Sequence, residues 1–150
     1  MTVLATGGCQ CGKTRYAVHG PFENPHICHC RMCQKAFGNY FAALVGVKKK
    51  DLVWTKGAPA VFRSSSIVSR GFCRDCGTPL SFAYDTSERI AVSIGSLDHP
   101  EALTPASQFG TEAMLPAFPH LHGLPGTRTE DDIPAADLEK LKSLQHADRD

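Results

Sequence analysis

Seven cysteines stand in three tight clusters: Cys9-Gln10-Cys11, Cys28-His29-Cys30-Arg31-Met32-Cys33 and Cys73-Arg74-Asp75-Cys76. None lies outside them. C-x-C and C-x-x-C spacings let one tight turn aim two thiolates at a single ion. Zinc takes four protein ligands at a structural site and three at a site that keeps a corner for chemistry. Seven divides as four plus three. On that division Cys9, Cys11, Cys73 and Cys76 form a structural zinc site that stitches the N-terminal region to the middle of the chain. A metal clip that closes so long a loop stabilises most, and its binding free energy is folding free energy. Cys28, Cys30 and Cys33 then form a catalytic zinc site with one position for water or a substrate thiol. There the ion would deprotonate a thiol or polarise an aldehyde oxygen.

Other assignments stay open at this level. A histidine, with His26 and His29 nearest and His120 or His122 more distant, can complete the second site as a closed structural one. A single ion held by Cys28, Cys30, Cys73 and Cys76 is a further grouping, although it leaves the glycine-flanked Cys9–Cys11 pair without a purpose. His120 and His122 alternate in Pro119-His120-Leu121-His122-Gly123, where they either line a pocket or are simply solvated. Asp98 and Glu112 read as turn or surface groups before pocket groups. Arg15, Arg31, Lys35 and Arg74 lie near the clusters, either to balance thiolate charge or to receive a substrate carboxylate.

The elements that position these clusters are mostly strands. Thr14–Val18 alternates and reads as a strand, and Gly20-Pro21 breaks it. Residues Arg31 to Phe37 predict one or two helical turns ended by Gly38-Asn39. Phe41–Val47 is an apolar run of strand length, buried on both faces. Leu52-Val53-Trp54 and Val61-Phe62-Arg63 are short strands separated by a turn at Lys56-Gly57-Ala58-Pro59. Ile67–Phe72 leads into the third cluster, and Leu80–Tyr84 with Arg89–Ile94 forms a hairpin. From Asp98 to Gly126 the chain is rich in proline, glycine and histidine, the composition of a functional loop. A C-terminal helix is predicted at about 133–145, with Leu138, Leu141 and Leu144 as its docking stripe and a frayed tail from Gln145. Many short strands divided by turns predict a mainly antiparallel β fold.

Composition bounds the rest. At 150 residues the chain reads as one domain over 1–150 with a core of about 7–126. Apolar residues are 42% and charged residues 21%, as in an ordinary globular protein. A net charge of +1 gives no basic face for nucleic acid. No signal peptide and no apolar stretch of membrane-crossing length is visible, which points to a cytoplasmic address where clustered thiols bind metal or do chemistry.

Gly8-Cys9-Gln10-Cys11-Gly12, Cys28-His29-Cys30-Arg31-Met32-Cys33, Phe72-Cys73-Arg74-Asp75-Cys76-Gly77-Thr78-Pro79 and Gly95-Ser96-Leu97-Asp98 together carry a resemblance. In their order and spacing, over about residues 7 to 126, they resemble the glutathione-dependent formaldehyde-activating enzyme family, which includes centromere protein V. The resemblance implies a β-tent, or Mss4-like, fold of small antiparallel sheets stitched by two zinc ions. It places the structural ion on Cys9, Cys11, Cys73 and Cys76 and the catalytic ion on Cys28, Cys30 and Cys33. It implies an S-hydroxymethylglutathione synthase-like carbon–sulfur lyase, with glutathione as co-substrate and a small-molecule thiol or thiol adduct as its partner. Many relatives carry a tryptophan and an acidic residue in the region matching Leu115 to Pro125. Here Phe118 and His122 stand there, so the substrate differs before the metal chemistry does. The alternative reading is a non-catalytic zinc module for protein or nucleic-acid interaction. A homo-oligomer is compatible with the sequence, which does not specify the oligomeric state.

Overall fold

β-type residues divided by glycine and proline turns build two sheets in the computed structural model, which describes residues 1–150. The smaller sheet is antiparallel, in the order β1 (Ala5–Gly8), β2 (Arg15–Val18), β5 (Leu52–Lys56). The larger holds β3 (Glu23–Cys28), β4 (Ala42–Lys48), β6 (Ala60–Arg63), β7 (Val68–Phe72), β8 (Pro79–Tyr84), β9 (Arg89–Ser93) and β10 (Ser107–Phe109). Its order is β10-β3-β4-β9-β8-β7-β6, antiparallel except for the parallel β10–β3 pair. The fold is mainly β, as the sequence predicts.

Two apolar clusters hold the sheets together, and each contains one set of cysteines. Tyr16, Val18, Val45, Val47, Leu80 and Val92 pack with Cys9 and Cys73 between the sheets. Ala42 and Leu44 pack with Cys28 and Cys33, flanked by Phe37, Phe82 and Ala91. Strand β4 serves both clusters, with Val45 and Val47 on the first and Ala42 and Leu44 on the second. Its continuous apolar run is therefore buried on both faces.

Helix α1 (Arg31–Phe37) spans the predicted turns. Cys30 caps it, its Sγ accepting the Cys33 N–H at 3.4 Å, and Gly38 ends it in the left-handed conformation. Three strands were not anticipated. β1 ends in two glycines. β10 has only three residues. β3 contains Pro25 and a left-handed Asn24 (φ 48°), and its pairing with β4 shifts between Glu23 and His26. A bulge of that kind is where proline is tolerated within a sheet.

The predicted helix at 133–145 is not formed. One single turn, α3 (Ala135–Leu138), lies within that span, and another, α2 (Thr129–Asp132), just precedes it. Leu141 and Leu144 are exposed, so the predicted stripe has no surface to dock on, and an undocked helix of this length does not hold. The tail is not frayed either. The His146 N–H donates to the Gln10 carbonyl at 2.7 Å, and Arg15 donates to Asp150 Oδ1 at 2.7 Å.

Candidate metal centres and the adjoining cleft

The first cysteine set is built by two turns of the same design. The β1–β2 turn closes with the Cys9 N–H donating to the Thr14 carbonyl at 2.9 Å and the Gly12 N–H donating to the Cys9 carbonyl at 3.0 Å. The β7–β8 turn repeats this, with Cys73 N–H to the Thr78 carbonyl at 3.0 Å and Gly77 N–H to the Cys73 carbonyl at 2.8 Å. Gly12 (φ 73°) and Gly77 (φ 80°) each follow the second cysteine in the left-handed conformation, where a side chain would be strained. The Gln10 N–H donates to Thr78 Oγ1 at 3.0 Å, and Lys13 pairs with Asp75 at 2.9 Å, tying one turn to the other.

The four sulfurs of Cys9, Cys11, Cys73 and Cys76 lie within 4.8 Å of one another. Cys9 and Cys11 are 3.5 Å apart and Cys11 and Cys73 3.7 Å. Ligands about 2.3 Å from a tetrahedral zinc are about 3.8 Å from each other, so the set fits that ion. Burial pushes the Cys76 thiol up, but hydrogen bonds from Thr78 and from the Cys11 backbone outweigh it and bring its pKa to about 6. A thiol so placed is mostly thiolate at neutral pH.

The second set forms where β3 runs into α1. Cys28 ends the strand, Cys30 caps the helix and Cys33 sits one turn along it. Their sulfurs also fall within 4.8 Å of one another, and no histidine or carboxylate joins them. Gln34 braces the loop, its Nε2 donating to the His29 carbonyl at 2.7 Å and to the Ala113 carbonyl at 3.0 Å. From the other side the His29 N–H donates to the Phe109 carbonyl at 2.9 Å. Gly110 (φ 65°) packs so closely that a Cβ would stand 2.9 Å from the Cys30 nitrogen.

Charge in this second set is uneven. A hydrogen bond from the Cys28 thiol brings Cys33 down to about 5 against the opposing effect of burial, and Arg70 adds to the lowering. Cys28 moves up in return. Arg70 is buried; its Nη2 donates to Cys33 Sγ at 3.2 Å, its Nε donates to Ser64 Oγ at 2.8 Å, and its guanidinium lies 4.8 Å above the Phe82 ring. Its Nη1 has no partner. A cation held this way offsets the charge of a thiolate cluster.

All three sulfurs line one cleft of ≈ 530 Å³, walled by β4, β7, β8 and β9 and edged by β10. The four-cysteine set does not line it.

The sequence profile of the "Glutathione-dependent formaldehyde-activating enzyme" family matches residues 4–113, a stretch that includes all seven cysteines. The chain belongs to this family. It is 33% identical over 82 residues to an uncharacterized lyase of Schizosaccharomyces pombe, a match that covers 52% of this chain and 56% of that protein's length. A crystal structure of a Rhodobacter sphaeroides protein shares the fold with a TM-score of 0.57 at 22% identity, over 69% of this chain and 98% of that one.

Within this family member the sulfurs sort four and three, and the grouping of Cys28 and Cys30 with Cys73 and Cys76 does not occur. His29 points away from the three sulfurs: its buried ring packs edge-on to Phe118 at 4.6 Å, and Nε2 meets Gln108 Oε1 at 2.9 Å. His26 lines the cleft but bonds the Asn24 carbonyl. His120, His122 and Glu112 are exposed and lie outside the cleft. Asp98 is a buried partner of Arg15, not a surface group. Arg70 and Gln34, which contact the three-cysteine loop, were not singled out by the sequence. The signal for Arg70 was a charged residue in the middle of the Ile67–Phe72 stretch, seven positions after Arg63. No helix is long and apolar enough to cross a membrane.

Proposed function

We propose that this protein is a zinc-dependent enzyme of the carbon–sulfur lyase type, which makes or breaks the bond between a small thiol and a carbonyl carbon. Glutathione is the proposed thiol, in the manner of an S-hydroxymethylglutathione synthase. One observation carries the reading. Three sulfurs line a cleft with no fourth protein ligand beside them, while the other four sulfurs complete a set away from it. We assign Cys9, Cys11, Cys73 and Cys76 to a structural zinc, and Cys28, Cys30 and Cys33 to a second, catalytic zinc.

When bound, that second ion supplies Lewis acidity toward a thiol or a carbonyl oxygen. The chain's own residues do the rest. Cys30 and Cys33 are fixed by α1, and Cys28 by the β3–β4 ladder, so their sulfurs need no rearrangement to converge. Arg70 holds positive charge against the Cys33 sulfur, and Gln34 with Gly110 fixes the loop that carries Cys30. Leu44, Phe82 and Ala91 give the cleft beside the sulfurs apolar walls.

The test is adduct formation. Zinc-loaded protein is mixed with glutathione and formaldehyde, and the exchange between free and adduct signals is followed by NMR. A rate above the uncatalysed one, lost in Cys30→Ser, is the expected result. An unchanged rate ends the formaldehyde assignment.

A further inference from the structure

The cleft beside the three sulfurs is far larger and more apolar than formaldehyde requires. Its walls carry Leu44, Val68, Phe82, Ile90 and Ala91. Met32, Ile67, Tyr84 and Phe109 also line it and are 50%, 57%, 44% and 63% exposed, so its apolar lining reaches into water. Apolar side chains gathered at the mouth of a cleft mark a binding surface.

The charged groups narrow the occupant. No aspartate or glutamate lines the cleft, and only two arginines do. Arg70 is engaged by Ser64 and Cys33 with its Nη1 left free, and Arg89 by Glu23. Glutathione brings two carboxylates and an ammonium group; this lining offers no acidic partner for the ammonium, and for a carboxylate only the free Arg70 Nη1 and the His26 ring. The charged tripeptide thus finds few partners here, and the apolar walls suit what is attached to its sulfur.

Resting on the lyase reading above, we propose that the carbonyl component is an aldehyde bearing an aromatic ring or a comparably large branched alkyl group, which docks between β4, β8 and β9. The step is balanced without an oxidant. The thiol sulfur bonds to the carbonyl carbon, the C=O π bond opens, and the S–H proton goes to the carbonyl oxygen. Cleavage is the reverse.

Two unreactive thioethers separate the substrate class from the chemistry. Calorimetric titration of the zinc-loaded full chain is expected to show S-benzylglutathione binding at least about tenfold tighter than S-methylglutathione, from the apolar area of the added ring. Ala91→Phe fills the trough and should bring the two affinities within about twofold of each other. Ile67→Asp, at an exposed rim position that leaves the interior intact, should weaken the benzyl compound about threefold and the methyl compound hardly at all. Zinc content of both variants should match the parent.

Equal affinities in the parent protein overturn the proposal, even if formaldehyde adducts are turned over. A benzyl preference with no turnover of any adduct keeps the apolar subsite and removes the lyase reading instead. A benzyl affinity that falls as protein concentration rises would show that a second copy covers the rim, and overturns the proposal.

Discussion

If the two cysteine sets differ in role, they should differ in what their loss does to stability, and chain geometry sets the size of that difference. Cys11 and Cys73 are 62 positions apart, so the first set closes a long loop. By the loop-closure relation used for cross-links, constraining a loop of that length is worth about 4 kcal/mol. Cys28 and Cys33 are five positions apart, and the same relation gives about 2 kcal/mol for them. At about 2–4 °C per kcal/mol for a chain of this size, the double variant Cys73→Ser/Cys76→Ser should melt about 8–16 °C below the parent. Cys28→Ser/Cys33→Ser should fall only about 4–8 °C. Lost burial works against the expected difference, because Cys28 and Cys33 are both buried whereas Cys76, beside the buried Cys73, is only partly so. Thermal melts by circular dichroism, run beside zinc counts, measure both. Each variant should retain one zinc of two. If the Cys28/Cys33 variant melts as low as the other, the division into structural and catalytic sites is wrong.

Further outcomes follow from single side chains. Arg70→Met removes the cation beside Cys33, whose thiol should then titrate about one unit higher, a charge-assisted hydrogen bond being worth about 1.5–3 kcal/mol. Alkylation of the three-cysteine set against pH, with the first zinc retained, would measure this, and an unmoved profile would remove Arg70 from the site. Asp98→Asn should destabilise the fold by about 3 kcal/mol, the low end for breaking a buried pair, because Arg15 keeps Asp150 as a second partner. Burial raises the Asp98 pKa, but Arg15 and Thr6 outweigh it and the net shift is downward. Its stabilising contribution is therefore present above the unfolded carboxyl value of about 4 and fades as pH drops below it, so denaturant midpoints of parent and variant should converge in acid. Gly110→Val, at positive φ and against the Cys30 backbone, should reduce turnover more than it reduces the melting temperature.

Much of the site was readable because cysteine chemistry is discrete. Spacing alone proposed the sorting of sulfurs that the fold produces, and the glycines after Cys11 and Cys76 marked the turns. Strand β4 and helix α1 were legible from an uninterrupted apolar run and from a glycine stop. What escaped depended on distant partners. β10 is three residues that exist only because β3 offers an edge, and Pro25 disguised β3 until its bulge was seen. The leucine stripe at 138–144 satisfied the helical period, yet periodicity does not supply a surface to pack against. Arg70 reads as a surface charge until the fold buries it against Cys33.

The four-sulfur set also has a temporal side. At about 5–20 residues per second of synthesis, Cys9 and Cys11 wait several seconds for Cys73 and Cys76 to leave the ribosome. During that wait the only other thiols on the nascent chain are Cys28, Cys30 and Cys33, complete by the time residue 33 is made. An early ion would therefore meet five sulfurs before it can meet seven: on Cys28, Cys30 and Cys33 it would already have its final companions, and on Cys9 or Cys11 it would not. Synthesis order thus lets the three-sulfur set be complete first and leaves the four-sulfur set waiting for its second pair.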